Sequence, residues 1–156
     1  MIRFTIPGEF VWRVARPGLG TVAYGFQEGW LRREGVIDIC LRRTLVGDVN
    51  PFVERLAYLL RDEIDSVDQI LTAAEADPTE EEKGCWIYIT SAWVYENREV
   101  LSDPFGIAEM LYSEFGYPEE MEGFIRYMPL PPGTEPGMDG LLAHWADYLK
   151  AKGYRP

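Results

Sequence analysis

Thr79-Glu-Glu-Glu-Lys-Gly-Cys-Trp-Ile-Tyr-Ile-Thr-Ser-Ala-Trp-Val-Tyr-Glu-Asn97 is the stretch whose reading decides the fold. Thr79 and Glu82 have the spacing of a capping box, in which a hydroxyl and a carboxylate reciprocally satisfy two N–H groups at a helix start. The acidic first turn Glu80-Glu81-Glu82 suits the positive end of a helix dipole. Beyond it, Trp86, Ile87, Ile89, Ala92, Trp93 and Val94 leave almost no polar face, and a helix apolar all round belongs inside. A strand is the rival reading. Trp86, Ile87, Tyr88, Ile89, Thr90, Trp93, Val94 and Tyr95 also suit a pleated sheet, and periodicity alone does not separate a buried helix from a buried strand. The segment is too long between turn signals for an ordinary strand, so the expectation is a buried helix over about 79–97.

Helical signals surround this segment. Met1–Thr5 reads as an edge strand or a loose arm. Pro7 suits the start of a short helix carrying Phe10, Val11 and Val14, which Arg16-Pro17-Gly18 breaks. A second short helix holds Val22, Phe26 and Trp30, with Gly29 at its end. Val36, Ile37, Cys40, Leu41 and Leu45 recur at helical spacing until Gly47-Asp48. Asn50-Pro51 joins an N-cap residue to proline at the first helical position, ahead of an apolar stripe from Phe52 to Leu60. Ser66–Ala76 predicts a further helix. Asp103-Pro104 repeats the cap-then-proline signal before Phe105, Ala108, Leu111, Tyr112 and Phe115, and Gly116 suits the left-handed C-terminal position. Tyr117-Pro118 opens another short helix with Met121, Phe124 and Ile125. Residues 128–137 are too rich in proline and glycine for regular structure and read as a surface loop. Met138–Lys152 predicts the last helix, packing Leu141, Leu142, Trp145, Tyr148 and Leu149. Together these signals predict a single all-α domain spanning 1–156, with six to eight helices around the buried segment.

The chain has 156 residues and a net charge of −11, unevenly placed. Residues 1–43 hold seven arginines against four acids; the remainder carries a balance of −14. Asp62, Glu63, Asp65, Asp68, Glu75, Asp77, Glu80, Glu81 and Glu82 follow one another without an intervening base. Such a chain repels phosphate backbones, which argues against nucleic-acid binding, and it attracts basic proteins. The plainer reading is that these acids solvate helix faces and start helices. No apolar run is long enough to span a bilayer, and the signal-peptide pattern is missing at Met1–Gly20. A cytoplasmic protein with two buried free thiols, Cys40 and Cys85, is expected.

Residues with catalytic chemistry are sparse. His144 is the sole histidine, beside Trp145, and a structural or solvent-facing role is the expectation. Glu119, Glu120 and Glu122 sit together at a helix start. Asp62, Asp65 and Asp68 lack the glycine and closing glutamate of a calcium loop. Gly18 and Gly20 make no phosphate-binding fingerprint without flanking strands. The five tryptophans read as core. No cofactor and no metal site is expected.

The run Asp103-Pro104 … Ala108-Glu109-Met110-Leu111-Tyr112-Ser113-Glu114-Phe115-Gly116-Tyr117-Pro118-Glu119-Glu120-Met121-Glu122-Gly123-Phe124-Ile125-Arg126-Tyr127-Met128-Pro129 resembles the signature of a bacterial family catalogued as domain of unknown function 2247. The Ile6-Pro7…Phe10 opening, Tyr24-Gly25 and Trp86…Trp93…Glu96-Asn97-Arg98 extend the likeness over most of the chain. The resemblance implies a small, mostly helical bacterial protein with no established activity, and it supplies no catalytic residues. Within the signature, Arg126 is expected to pair with Glu114 or Glu122, or to stack on a ring.

The leading functional expectation is a protein-binding module, specifically an immunity-type inhibitor whose acidic face plugs a basic toxin. Asp62, Glu63, Asp65, Asp68, Glu75, Asp77, Glu80, Glu81 and Glu82 are its expected contact residues. The alternative is a carboxylate-based hydrolase or metal-dependent enzyme with a site between helices, using Glu109, Glu114 and Glu122. A third reading is a homodimer formed through an exposed aromatic patch around Tyr127–Leu130.

Overall fold

A computed structural model describes residues 4–130, 132–133 and 137–156. The fold is all-α. Eight α-helices and two 3-10 segments are present among the described residues, and no strand. The helices are α1 (Gly8–Ala15), α2 (Leu19–Gln27), α3 (Arg33–Leu45), α4 (Pro51–Ala57), α5 (Val67–Ala73), α6 (Glu80–Glu96), α7 (Pro104–Glu114) and α8 (Met138–Ala151). The 3-10 segments are Arg61–Ser66 and Glu119–Phe124. Of the expected arm, Met1–Arg3 lie outside the described residues; Phe4 and Thr5 form no strand. Pro131, Thr134, Glu135 and Pro136 of the expected loop also lie outside them, while Met128–Leu130, Pro132, Gly133 and Gly137 belong to no helix.

The decisive stretch is a helix, and its cap forms as its spacing predicts. Thr79 N–H donates to Glu82 Oε1 (3.0 Å), and Glu82 N–H to Thr79 Oγ1 (3.1 Å). From Trp86 to Val94 every residue except Trp93 is buried. The chain divides into two compact units, one ending at Trp86 and the other running Ile87–Pro156, so the boundary falls within α6.

In the first unit, α3 packs on α1, α2, α4 and α5. Its buried edge is Val36, Ile39 and Cys40. Leu45, expected on that edge, is 75% exposed; Arg43 in the same turn is half-buried, with its guanidinium donating to Pro17 O (2.9 Å). α1 passes so close to α3 that a Cβ on Gly8 would lie 2.6 Å from Gly35 O. The Trp86 ring fills a notch at Gly25 of α2, where any Cβ would run into it, and Trp86 Nε1–H donates to Thr21 O (2.8 Å). Glycine here costs about 1 kcal/mol of helix propensity, which the buried indole offsets.

The second unit is built around Trp145 of α8, fully buried. Its ring stacks on Phe124 at 4.9 Å and meets Phe105 (5.5 Å) and Tyr95 (5.7 Å) edge-on. Its Nε1–H donates to Ser91 O (3.2 Å). The signature residues Phe105, Met121, Phe124 and Ile125 thus serve packing: all are buried.

Four helix ends follow one rule. At Gly29, Gly47, Gly116 and Gly153 the backbone is left-handed (φ 85°, 100°, 76° and 96°). In each case the glycine N–H bonds three residues back and the next N–H five residues back, the paired bonds of a Schellman motif. Contacts across the motif differ in chemistry: Arg43–Asp48 is an ion pair (2.7 Å), and Tyr112–Tyr117 is an edge-on ring pair (5.3 Å).

Three elements are shorter than expected. α4 stops at Ala57, leaving Leu60 64% exposed, because Leu60 N–H is taken by the Glu63 carboxylate (3.0 Å), which opens the 3-10 segment. The helix expected over Ser66–Ala76 forms as Val67–Ala73 only. The helix expected after Tyr117-Pro118 with Met121, Phe124 and Ile125 is a 3-10 segment that ends at Phe124.

Two predictions follow from this packing. Gly25→Ala should lower stability by about 1–3 kcal/mol despite the better propensity, through overpacking against Trp86; urea denaturation measures it. The Asp48 carboxyl is held below the usual carboxylate range by the Asn50 N–H (2.9 Å) and then by Arg43. Its folded-state pKa is depressed, so its stabilisation is present above the unfolded value of about 3.9 and lost as pH falls through the folded value. Wild type should therefore melt above Asp48→Asn at neutral pH, with the gap closing as pH falls below the unfolded carboxylate range in melts across pH.

Candidate functional site

The acidic run occupies three local settings. Asp62, Glu63 and Asp65 lie on the 3-10 segment Arg61–Ser66, Asp68 in the first turn of α5, and Glu75 and Asp77 just beyond α5. Glu80, Glu81 and Glu82 form the first turn of α6. All are exposed except Glu82, which is half-buried. Several have local duties. Glu63 and Glu82 satisfy backbone N–H groups, and Glu80 pairs with Lys83 (3.3 Å).

Asp68, Glu75 and Asp77 are brought together. They line a hollow of about 450 Å³ whose apolar side is Ala23 and Phe26 of α2 and Leu71 of α5. The other six acids do not line it. Phe26 has no linear signal for this role, since it reads simply as a core residue of α2.

Arg33 shows how a cation sits beside this hollow. Its guanidinium binds Asp68 through two N–H groups (2.7 and 3.2 Å) and lies 5.8 Å from the Phe26 ring centroid. The pair holds the Asp68 carboxyl below its usual range and raises the Arg33 pKa. Both side chains remain 43–50% exposed, so the contact orients more than it stabilises. Among the described residues, no cation is within ion-pair distance of Glu75 or Asp77.

Glu75 has a conformation that its side chain does not favour. It is left-handed (φ 48°), and its N–H bonds to Thr72 O (3.1 Å). Asp77 N–H then closes onto Glu75 O (2.8 Å), turning the next carboxylate toward the same hollow. Four helix ends in this chain place glycine in such a conformation. A residue with a Cβ there costs about 1 kcal/mol or more.

The other candidate chemistry resolves differently. Arg126 pairs with Glu109 through two bonds (2.7 and 2.9 Å) and with Asp103 at 3.8 Å, not with Glu114 or Glu122. Glu109 comes from α7, the signature helix that also buries Phe105, and Arg126 is 6.0 Å from that ring. Glu114 is exposed at the end of α7; Glu122 lies beside Tyr112, whose phenol is pushed up by burial and by that carboxylate. No group of three or more His, Cys, Asp or Glu among the described residues could hold a metal. His144 is half-buried against Gly123. Burial pushes the Cys40 thiol up to about 12, which makes it a poor nucleophile; Cys85, expected to be buried, is half-exposed. Tyr127 and Leu130, the expected self-association patch, are 60% and 42% exposed. No helix among the described residues is long and apolar enough to cross a membrane.

Comparison with curated proteins and with solved structures finds no match. A family model described as an uncharacterized protein conserved in bacteria matches residues 8–153. That span contains both halves of the hollow, the buried stretch of α6 and the whole signature from Asp103 to Pro129. The chain therefore belongs to this bacterial family, the domain of unknown function DUF2247.

Proposed function

We propose that this chain is a cytoplasmic protein-binding module that takes a basic protein on its acidic run, with the hollow between α2 and α5 as the centre of contact. The single observation that carries this reading is the hollow itself: three carboxylates around an apolar wall. A lysine or arginine of a partner would lay its aliphatic stem on Phe26 and Leu71 and present its charge to Glu75 and Asp77. The outlying acids Asp62, Glu63, Asp65, Glu80 and Glu81 would act at longer range, raising the encounter rate rather than the lifetime of the complex. An immunity-type inhibitor of a basic toxin is the role such a surface would serve. The enzyme alternative has no comparable support, since Glu109 is engaged by Arg126.

Two measurements test this, using the product of a basic reading frame beside the coding gene as the partner. Its association rate should fall at least about tenfold between roughly 50 and 500 mM salt; a rate indifferent to salt would overturn the proposal. Glu75→Gly should hold or raise the melting temperature, because glycine relieves the left-handed backbone, yet weaken binding about tenfold, the order of one charge-assisted contact. Unchanged affinity in this variant would remove the hollow from the interface.

A further inference from the structure

A second hollow, in the unit Ile87–Pro156, has the opposite charge character. It measures about 640 Å³ and is lined by Tyr95, Ala146, Lys150, Gly153, Tyr154 and Arg155, with Pro156. Ala146 and Lys150 are one helical turn apart on α8, so they share a face; the small alanine leaves room beneath the lysine. Gly153 (φ 96°) turns the chain out of α8. Tyr154 N–H bonds to Leu149 O (2.9 Å), which brings Tyr154 and Arg155 back to the hollow.

Its two rings are held in place. Tyr154 is 8% exposed, and its hydroxyl donates to Glu96 Oε1 (2.8 Å). Tyr95 carries the Arg98 guanidinium 4.1 Å from its ring centroid, and the same group donates to Tyr95 O (2.8 Å). The Tyr95 and Tyr154 planes stand at 84° with centroids 6.3 Å apart. Two rings at nearly a right angle form a corner. A flat ring laid against one presents its edge to the other, which is the favoured aromatic geometry.

The charge is as specific as the shape. Residues 44–156 contain eight bases against 22 acids. Lys150 and Arg155 nonetheless line this hollow, and Arg98 sits on one of its rings. Glu96, which accepts the Tyr154 hydroxyl, is not among the lining residues. A mostly apolar cavity of this volume with a few polar groups at its edge has the make-up of a small-molecule site.

We propose that this hollow binds a small organic anion built on a flat aromatic body, with the ring in the Tyr95–Tyr154 corner and the anionic group on Lys150 and Arg155. The site is separate from the acidic hollow and does not depend on the reading given there.

An amide NMR titration with naphthoate tests it, using naphthamide as the neutral isostere and acetate as the anion without a ring. Naphthoate should give saturable shifts centred on Tyr95, Ala146, Gly153 and Tyr154. Naphthamide and acetate should each bind at least about tenfold more weakly, the order of losing a charge-assisted contact or the ring's burial. The double variant Lys150→Gln, Arg155→Gln changes only exposed side chains and should weaken naphthoate by a similar factor. The absence of saturable shifts with naphthoate, equal binding of naphthamide, or full affinity in the double variant would each overturn the proposal.

Discussion

The constraint on which the structure depends is that α6 has no polar face beyond its first turns. Its carbonyls and N–H groups satisfy one another, but from Trp86 to Val94 exposing its side chains to water would cost free energy on nearly every side. Each unit covers its own portion with an indole that has somewhere to place its N–H. Trp86 enters the notch at Gly25 and bonds to Thr21 O; Trp145 lies against α6 and bonds to Ser91 O. A buried indole N–H without a partner would be destabilising. The two bonds therefore set where each ring sits as well as how much area it covers.

Short helices need defined ends, because few of their backbone groups are satisfied internally. This chain supplies ends with glycine at four positions and tightens two of them with side-chain contacts of different kinds, an ion pair at Asp48 and a ring pair at Tyr117. Glu75, like Arg16 at the end of α1 (φ 43°), takes that conformation with a Cβ. A strained carboxylate where glycine would serve better is more readily understood through its charge than its backbone, and it lies with Asp68 and Asp77 on an apolar wall.

The two hollows differ in how they are made. The acidic one joins α2 to the end of α5, and its acids are close neighbours in the chain while its wall is not. The basic one folds the end of α8 back on itself and borrows Tyr95 from α6. In both, an aromatic ring lies beside charged side chains, acidic in the first and basic in the second.

The sequence by itself determined the all-α fold, the helix over 79–97, the Thr79–Glu82 cap, the proline-led starts of α4 and α7, and the glycine stops at 29, 47 and 116. These are local: each depends on a few residues in succession, whose hydrogen bonds and backbone preferences are written in their order. It also placed the acids outside, since unpaired carboxylates stay in water. Only the tertiary structure decided which three acids meet, that Arg33 and Phe26 attend them, that Arg126 chooses Glu109, and that Tyr95 and Tyr154 make a corner. The pairs Arg126–Glu109, Arg33–Asp68 and Tyr95–Tyr154 join residues 17, 35 and 59 positions apart, set by how helices pack against one another. Packing responds to shape summed over many side chains, and no short stretch of sequence carries that sum.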